Sequence, residues 1–110
     1  MAMINFNFLS EELPGFKVSG NKIRILNEPD QFYNELLFLS QKSKKRILLS
    51  ALYLGIGNLE KKLVGTLKDR LKNQKTLRVK VLLDWCRGTR LSNGESSATV
   101  LADLVNEGKN

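Results

Sequence analysis

From Ile47 to Leu54 the chain reads Ile-Leu-Leu-Ser-Ala-Leu-Tyr-Leu, an apolar run broken only by Ser50. A run this short, without alternation, reads as a β-strand buried on both faces, as in a sheet covered by helices. Such a strand needs covering elements close by, and both flanks supply helical patterns. Upstream, Asn27 is a reasonable helix cap, Pro29 fits the first turn and Asp30 suits the positive end of the helix dipole. That helix is expected to run to about Lys42, with Phe32, Tyr33, Leu36, Leu37 and Leu39 on one broad face. Downstream, Gly55-Ile-Gly57 ends the run. A second helix is expected from about Asn58 to Leu71, with Leu59, Leu63, Leu67 and Leu71 at a spacing of four and Lys61, Lys62, Lys68 and Lys72 on the opposite faces.

The remaining segments extend the alternation. Lys22-Ile-Arg-Ile-Leu26 alternates β-branched residues with charge and predicts a short first strand. Leu77-Arg-Val-Lys-Val-Leu-Leu83 predicts a third, and Asp84 stands at its end. Residues 85–95 form a polar, glycine-bearing loop. Ser96 or Ser97 could cap a last helix through Val105, with Gly108 as its stop. Residues 1–21 are an irregular lead-in with turn signals at Pro14-Gly15 and Ser19-Gly20-Asn21. Its Phe6, Phe8, Leu9, Leu13 and Phe16 give it the mass to pack down. The order strand-helix-strand-helix-strand-helix over residues 22–110 argues for an α/β sheet layer. Three strands leave exposed edges, and a further strand is expected after the last helix, so the architecture reads as unfinished.

The sequence excludes several chemistries. It has no histidine and a single cysteine, Cys86. That removes the usual zinc sites, an internal disulfide and any Cys-His or Ser-His nucleophile pair, and it favours a reducing compartment. No apolar stretch approaches the roughly 20 residues that a membrane-spanning helix needs. The start of the chain, with Glu11 and Glu12 against Lys17, matches neither a secretory signal nor a transit peptide. Either the chain carries no address or its true start lies upstream. The net charge of +7 is concentrated: residues 41–80 hold twelve Lys or Arg against Glu60 and Asp69, or +10, and the flanks hold −3. A basic centre suits phosphate-bearing partners such as nucleotides, nucleic acid or anionic lipid head groups; solvated helix faces are the plainer account of the same lysines.

Two loops follow predicted strands. Leu54-Gly55-Ile56-Gly57-Asn58 lies between a strand and a helix, where backbone amides can meet a phosphate. It lacks the third glycine of a dinucleotide fingerprint and the Gly-Lys-Ser/Thr ending of a P-loop, so it reads first as a structural turn and only second as a phosphate contact. Asp84-Trp-Cys-Arg-Gly-Thr-Arg90 lies where ligands collect in open α/β sheets. Arg87 and Arg90 could clamp a phosphate through charge-assisted bonds; alternatively Arg87 pairs with Asp84 in an exposed loop. Trp85 is expected to pack, and Cys86 to be an ordinary half-buried thiol.

Taken together, Arg46-Ile-Leu-Leu-Ser-Ala-Leu-Tyr-Leu-Gly-Ile-Gly-Asn-Leu-Glu-Lys-Lys-Leu-Val64 and Val79-Lys-Val-Leu-Leu-Asp-Trp-Cys-Arg-Gly-Thr-Arg90 resemble the eukaryotic phosphatidylglycerophosphate synthases of the phospholipase D superfamily. Glu12-Leu-Pro-Gly-Phe16 and Glu28-Pro-Asp-Gln-Phe32 fit the lead-in of the same proteins, so the resemblance covers about residues 6–105. It implies an incomplete phospholipase D-like α-β-α sandwich, the amino-terminal part of the first of two such domains. It also implies a mitochondrial enzyme that joins CDP-diacylglycerol to glycerol 3-phosphate, releases CMP and serves cardiolipin synthesis. The family's nucleophile is a histidine in a His-x-Lys-x4-Asp motif, used twice, without a metal or other cofactor. Neither motif occurs here, so no catalytic residue carries over and the chain alone is expected to be inactive. The candidate substrate- or nucleotide-binding residues are Ser50, Tyr53, Gly55, Gly57, Asp84, Arg87 and Arg90. The remainder of the enzyme is expected to complete the fold, with peripheral contact to an anionic membrane and no nucleic-acid partner. The alternative is a non-catalytic product that binds anionic lipid or nucleotide phosphate through its basic centre; helix 58–71 has the lysine and leucine faces of a surface-seeking helix, but its leucines are needed to cover the sheet.

Overall fold

A computed structural model describes residues 12–107. After a 3-10 turn at Gly20–Lys22 come helix α1 (Pro29–Lys42), strand β1 (Arg46–Ala51), helix α2 (Asn58–Asn73) and strand β2 (Arg78–Leu83). A one-turn helix α3 (Trp85–Gly88) and helix α4 (Ser97–Glu107) complete the order. The two strands pair in parallel, from Arg46 beside Arg78 to Ala51 beside Leu83. A parallel pair cannot be closed by a tight turn, so the chain must cross over, and α2 is that crossover. Both ends of α2 suit its dipole, with Glu60 in the first turn and Arg70 and Lys72 in the last.

The core forms where α2 lies over the sheet. Leu63, Val64 and Leu67 of α2 are buried with Leu37 of α1, Ile47 of β1, Leu77 just before β2, and Leu104 of α4; Leu67 is 1% exposed. Four-residue spacing drifts about 40° per step around a helix of 3.6 residues per turn. Leu59, the first of the predicted stripe, is accordingly left exposed while Val64 enters the core. Leu63 and Leu67, with Leu71 packed against them, thus serve the interior, the covering role expected of this helix. No helix among the described residues is long and apolar enough to cross a membrane.

Three further expectations are corrected. Lys22–Leu26 is not a strand among the described residues. It runs beside α1, held by the Arg24–Glu35 ion pair and a bond from the Asn27 amide to Gln31 Oε1 (3.0 Å), with Ile23 and Ile25 exposed. An alternating pattern makes a strand only where an edge is offered, and here α1 is the neighbour. The lead-in does not pack down where it is described, since Leu13 and Phe16 are exposed; Phe6, Phe8, Leu9 and Gly108 lie outside the described residues. Finally, β1 is buried on one face only. Ile47 and Leu49 turn toward the helices, whereas Leu48 and, on β2, Leu82 are 65% and 70% exposed. They border an open groove on the sheet with Ser50 and Lys80.

Truncating the centre and the open face should have opposite consequences. Leu67→Ala is expected to lower stability by about 2–5 kcal/mol through loss of burial plus a residual cavity. Leu48→Ala should stay within about 0.5 kcal/mol of wild type. Urea unfolding of the two variants checks the contrast.

Candidate functional site

Both parallel strands deliver their carboxyl ends to one edge of the sheet, and two loops meet there. Beyond the ladder, the Asp84 amide donates to Leu52 O (3.2 Å), which keeps the loops side by side. Asp84 then caps α3: its Oδ1 accepts from the Arg87 amide (2.9 Å). The expected Arg87–Asp84 pairing thus exists through the backbone, and the Arg87 guanidinium is left to project elsewhere. The one-turn helix stands where an irregular loop was expected. It leaves Trp85 79% exposed and Cys86 exposed, which corrects the packing reading of the first and the half-buried reading of the second.

The far wall comes from the start of α4. The Ser96 amide donates to Thr99 Oγ1 (2.8 Å) and Ser96 Oγ accepts from the Thr99 amide (3.3 Å), a reciprocal cap of the kind that satisfies the first orphan donors of a helix. Ser97 has another use. Its hydroxyl donates to Leu54 O (2.5 Å) and accepts from the Leu54 amide (3.0 Å), so one buried side chain satisfies both backbone groups of a loop residue. The loop after β1 is thereby pinned to α4. Lys61 Nζ and Glu95 Oε2 (2.8 Å) tie the polar segment before α4 to α2 in the same way.

These ties enclose an open cavity of about 430 Å³. Of the seven residues predicted from sequence, Tyr53, Gly55, Arg87 and Arg90 line it, together with the Ser92 and Ser96 side chains. Its lining includes Arg87 and Arg90 and no Asp or Glu. Ser92 and the Ser96–Ser97 pair were missed as wall residues, because in sequence they signal only a loop and a helix cap.

The other three predicted residues lie elsewhere. Ser50 faces the open groove on the sheet, and Asp84 is engaged as the cap of α3. Gly57 precedes α2, and the space above it and Gly55 is taken by Glu60. A Cβ added at Gly55 would meet Glu60 Oε1 at 2.6 Å, and one at Gly57 would meet Oε2 at 2.8 Å. These glycines make room for the protein's own carboxylate at the amino end of α2, where a negative charge is favoured. Among the described residues, no group of three or more Cys, Asp or Glu side chains could hold a metal ion.

Two substitutions separate the ties from the glycine contact. Ser97→Ala should cost about 1–3 kcal/mol, because it strands a buried donor and acceptor on Leu54. Gly55→Ala should cost less than about 1 kcal/mol, since only the flexible end of Glu60 has to move, and nothing further in a Glu60→Ala background. Thermal melts of the four variants, including the double, check both.

Comparison with known proteins identifies the arrangement. No protein-family model matches the chain. It is 43% identical over 98 residues to the Dictyostelium discoideum protein named probable CDP-diacylglycerol–glycerol-3-phosphate 3-phosphatidyltransferase, a match covering 88% of this chain and 17% of that protein. The mitochondrial protein of the same name from Gallus gallus is 33% identical over 106 residues, covering 91% and 19%. The chain thus spans less than a fifth of the length of these relatives. Among solved structures, the phosphatidylserine synthase of Haemophilus influenzae superimposes with a TM-score of 0.62 at 24% identity, over 72% of this chain and 18% of that one, which shows a shared phospholipase D-like fold. With this fold and these sequence matches, the chain belongs to the phosphatidylglycerophosphate synthase family, CDP-diacylglycerol–glycerol-3-phosphate 3-phosphatidyltransferases.

Proposed function

We propose that the chain is part of a mitochondrial enzyme that transfers a phosphatidyl group from CDP-diacylglycerol to glycerol 3-phosphate, giving phosphatidylglycerophosphate and CMP. The observation that carries this reading is the 43% identity over nearly the whole chain to a protein bearing that activity in its name. Within it, the cavity at the carboxyl ends of β1 and β2 takes a phosphate of the nucleotide substrate. Arg87 and Arg90 supply the fixed positive charge, Tyr53 and the serines the polar wall, and Gly55 the backbone. Asp84 positions Arg87 by capping the turn that carries it.

The role of these residues is to bind and orient. Displacement of CMP from the diphosphate of CDP-diacylglycerol needs a nucleophile and a proton-transferring partner, and the family uses histidine for both. The chain has no histidine, so those groups come from the rest of the enzyme, which also completes the sheet. Because CDP-diacylglycerol carries acyl chains, the enzyme meets its substrate at a membrane surface, and an anionic one suits the basic centre of the chain.

Two measurements test the reading. Residues 1–110 alone should give no phosphatidylglycerophosphate from CDP-diacylglycerol and glycerol 3-phosphate; turnover above a boiled control would overturn the assignment of chemistry to groups outside the chain. Titration of the chain with CMP, followed by amide chemical shifts, should perturb Tyr53–Gly55 and Arg87–Ser92. Arg87→Ala/Arg90→Ala should weaken CMP binding by about tenfold or more, as expected for loss of charged hydrogen bonds. Shifts confined to other regions would remove the cavity from consideration.

A further inference from the structure

The opposite end of the sheet collects cations that the phosphate cavity does not use. Because β1 and β2 are parallel, both begin at this edge, with Arg46 beside Arg78. Their approach segments are held together: the Arg78 amide donates to Lys45 O (3.0 Å), Thr76 Oγ1 to Lys44 O (3.5 Å) and Arg70 Nη2 to Ser43 O (2.7 Å). The result places Lys42, Lys44, Lys45, Arg46, Lys75 and Arg78 on one edge, all exposed. Residues 40–46 and 70–80 contain no carboxylate, and none of these six forms an ion pair among the described residues.

The carboxyl ends of α1 and α2 also lie here and favour cations in their last turns. That accounts for Lys42. It does not account for Lys44, Lys45, Arg46, Lys75 and Arg78, which lie outside both helices. Like charges opposed across a strand pair, as at Arg46 and Arg78, repel one another, and an external anionic surface would relieve the repulsion.

We propose that this edge is the face the protein lays on an anionic lipid bilayer, its cations meeting phosphate head groups. Four of the six are lysines, point charges suited to mobile head groups and not to one fixed geometry. Phe38 and Leu39, more than half exposed near the end of α1, flank the cations, and Lys42 Nζ lies 5.7 Å from the centre of the Phe38 ring. Exposed apolar side chains beside lysines have a place at a bilayer boundary and none on a nucleic-acid phosphate backbone. The inference deepens the membrane contact proposed above but depends on neither the nucleotide site nor turnover.

Co-sedimentation of the full 110-residue chain with phosphatidylcholine vesicles, with and without phosphatidylglycerol, is the test. Binding should require phosphatidylglycerol and weaken with added salt as charges are screened. Lys44→Glu/Lys45→Glu/Arg78→Glu should lower it at least about tenfold, and the milder Lys44→Gln/Lys45→Gln should lower it measurably. Circular dichroism confirms that both variants fold; should the first fail to fold, the second decides. Arg87→Ala/Arg90→Ala should bind vesicles as wild type does, even if CMP binding is lost. No sedimentation at low salt, equal sedimentation with phosphatidylcholine alone, or wild-type binding by the glutamine variant would each overturn the proposal. So would displacement from vesicles by a short RNA duplex at concentrations below those of the lipid, which would reassign the edge to nucleic acid.

Discussion

The parallel pairing of β1 with β2 is the constraint on which the rest of this structure depends. Two strands that run the same way cannot be neighbours unless the chain returns across them, and α2 makes that return. Once committed to the crossing, α2 becomes the common contact: α1 and α4 both pack on it, and its Leu67 is the most deeply buried side chain. The same parallelism divides the sheet into two chemically different edges. Carboxyl ends of strands and amino ends of α2 and α4 gather on one, amino ends of strands and carboxyl ends of α1 and α2 on the other. The two loops of the candidate site and the exposed cations are thereby separated by the length of the sheet.

Much of the order was legible in the sequence because it rests on periodicity. The helices were placed from apolar spacing and from Pro29, and β2 from alternating valines with Lys80. Where reading failed, the cause was the neighbour and not the segment. Ile47–Leu54 carries the composition of a strand covered on both sides, yet composition cannot report whether a second layer is at hand. The strand stops at Ala51 with Leu48 uncovered. Lys22–Leu26 has strand-like residues but meets a helix instead of a sheet edge.

The site was legible in its charges and not in its walls. Arg87 and Arg90 announce themselves as a pair three residues apart next to a strand end, and the structure turns both into one cavity. The glycines were harder to read. A Gly-x-Gly after a strand suggests a ligand that approaches the backbone closely, and something does: the carboxylate of Glu60, from three residues further along the chain. Sequence shows that room is needed and leaves open for whom. Ser97 shows the same limit from the other side, since its partner Leu54 lies 43 residues away.

The pair of hydrogen bonds between Ser97 and Leu54 also bears on motion. A loop residue whose amide and carbonyl are both held by a buried side chain has lost the freedom that loops normally keep, and its hydrogen exchange should resemble that of a core strand. The segment after β1 and the first turn of α4 then move as one piece. Any adjustment of the cavity must come from the opposite side, where Arg87 stands on the single turn of α3 and Arg90 just beyond its end.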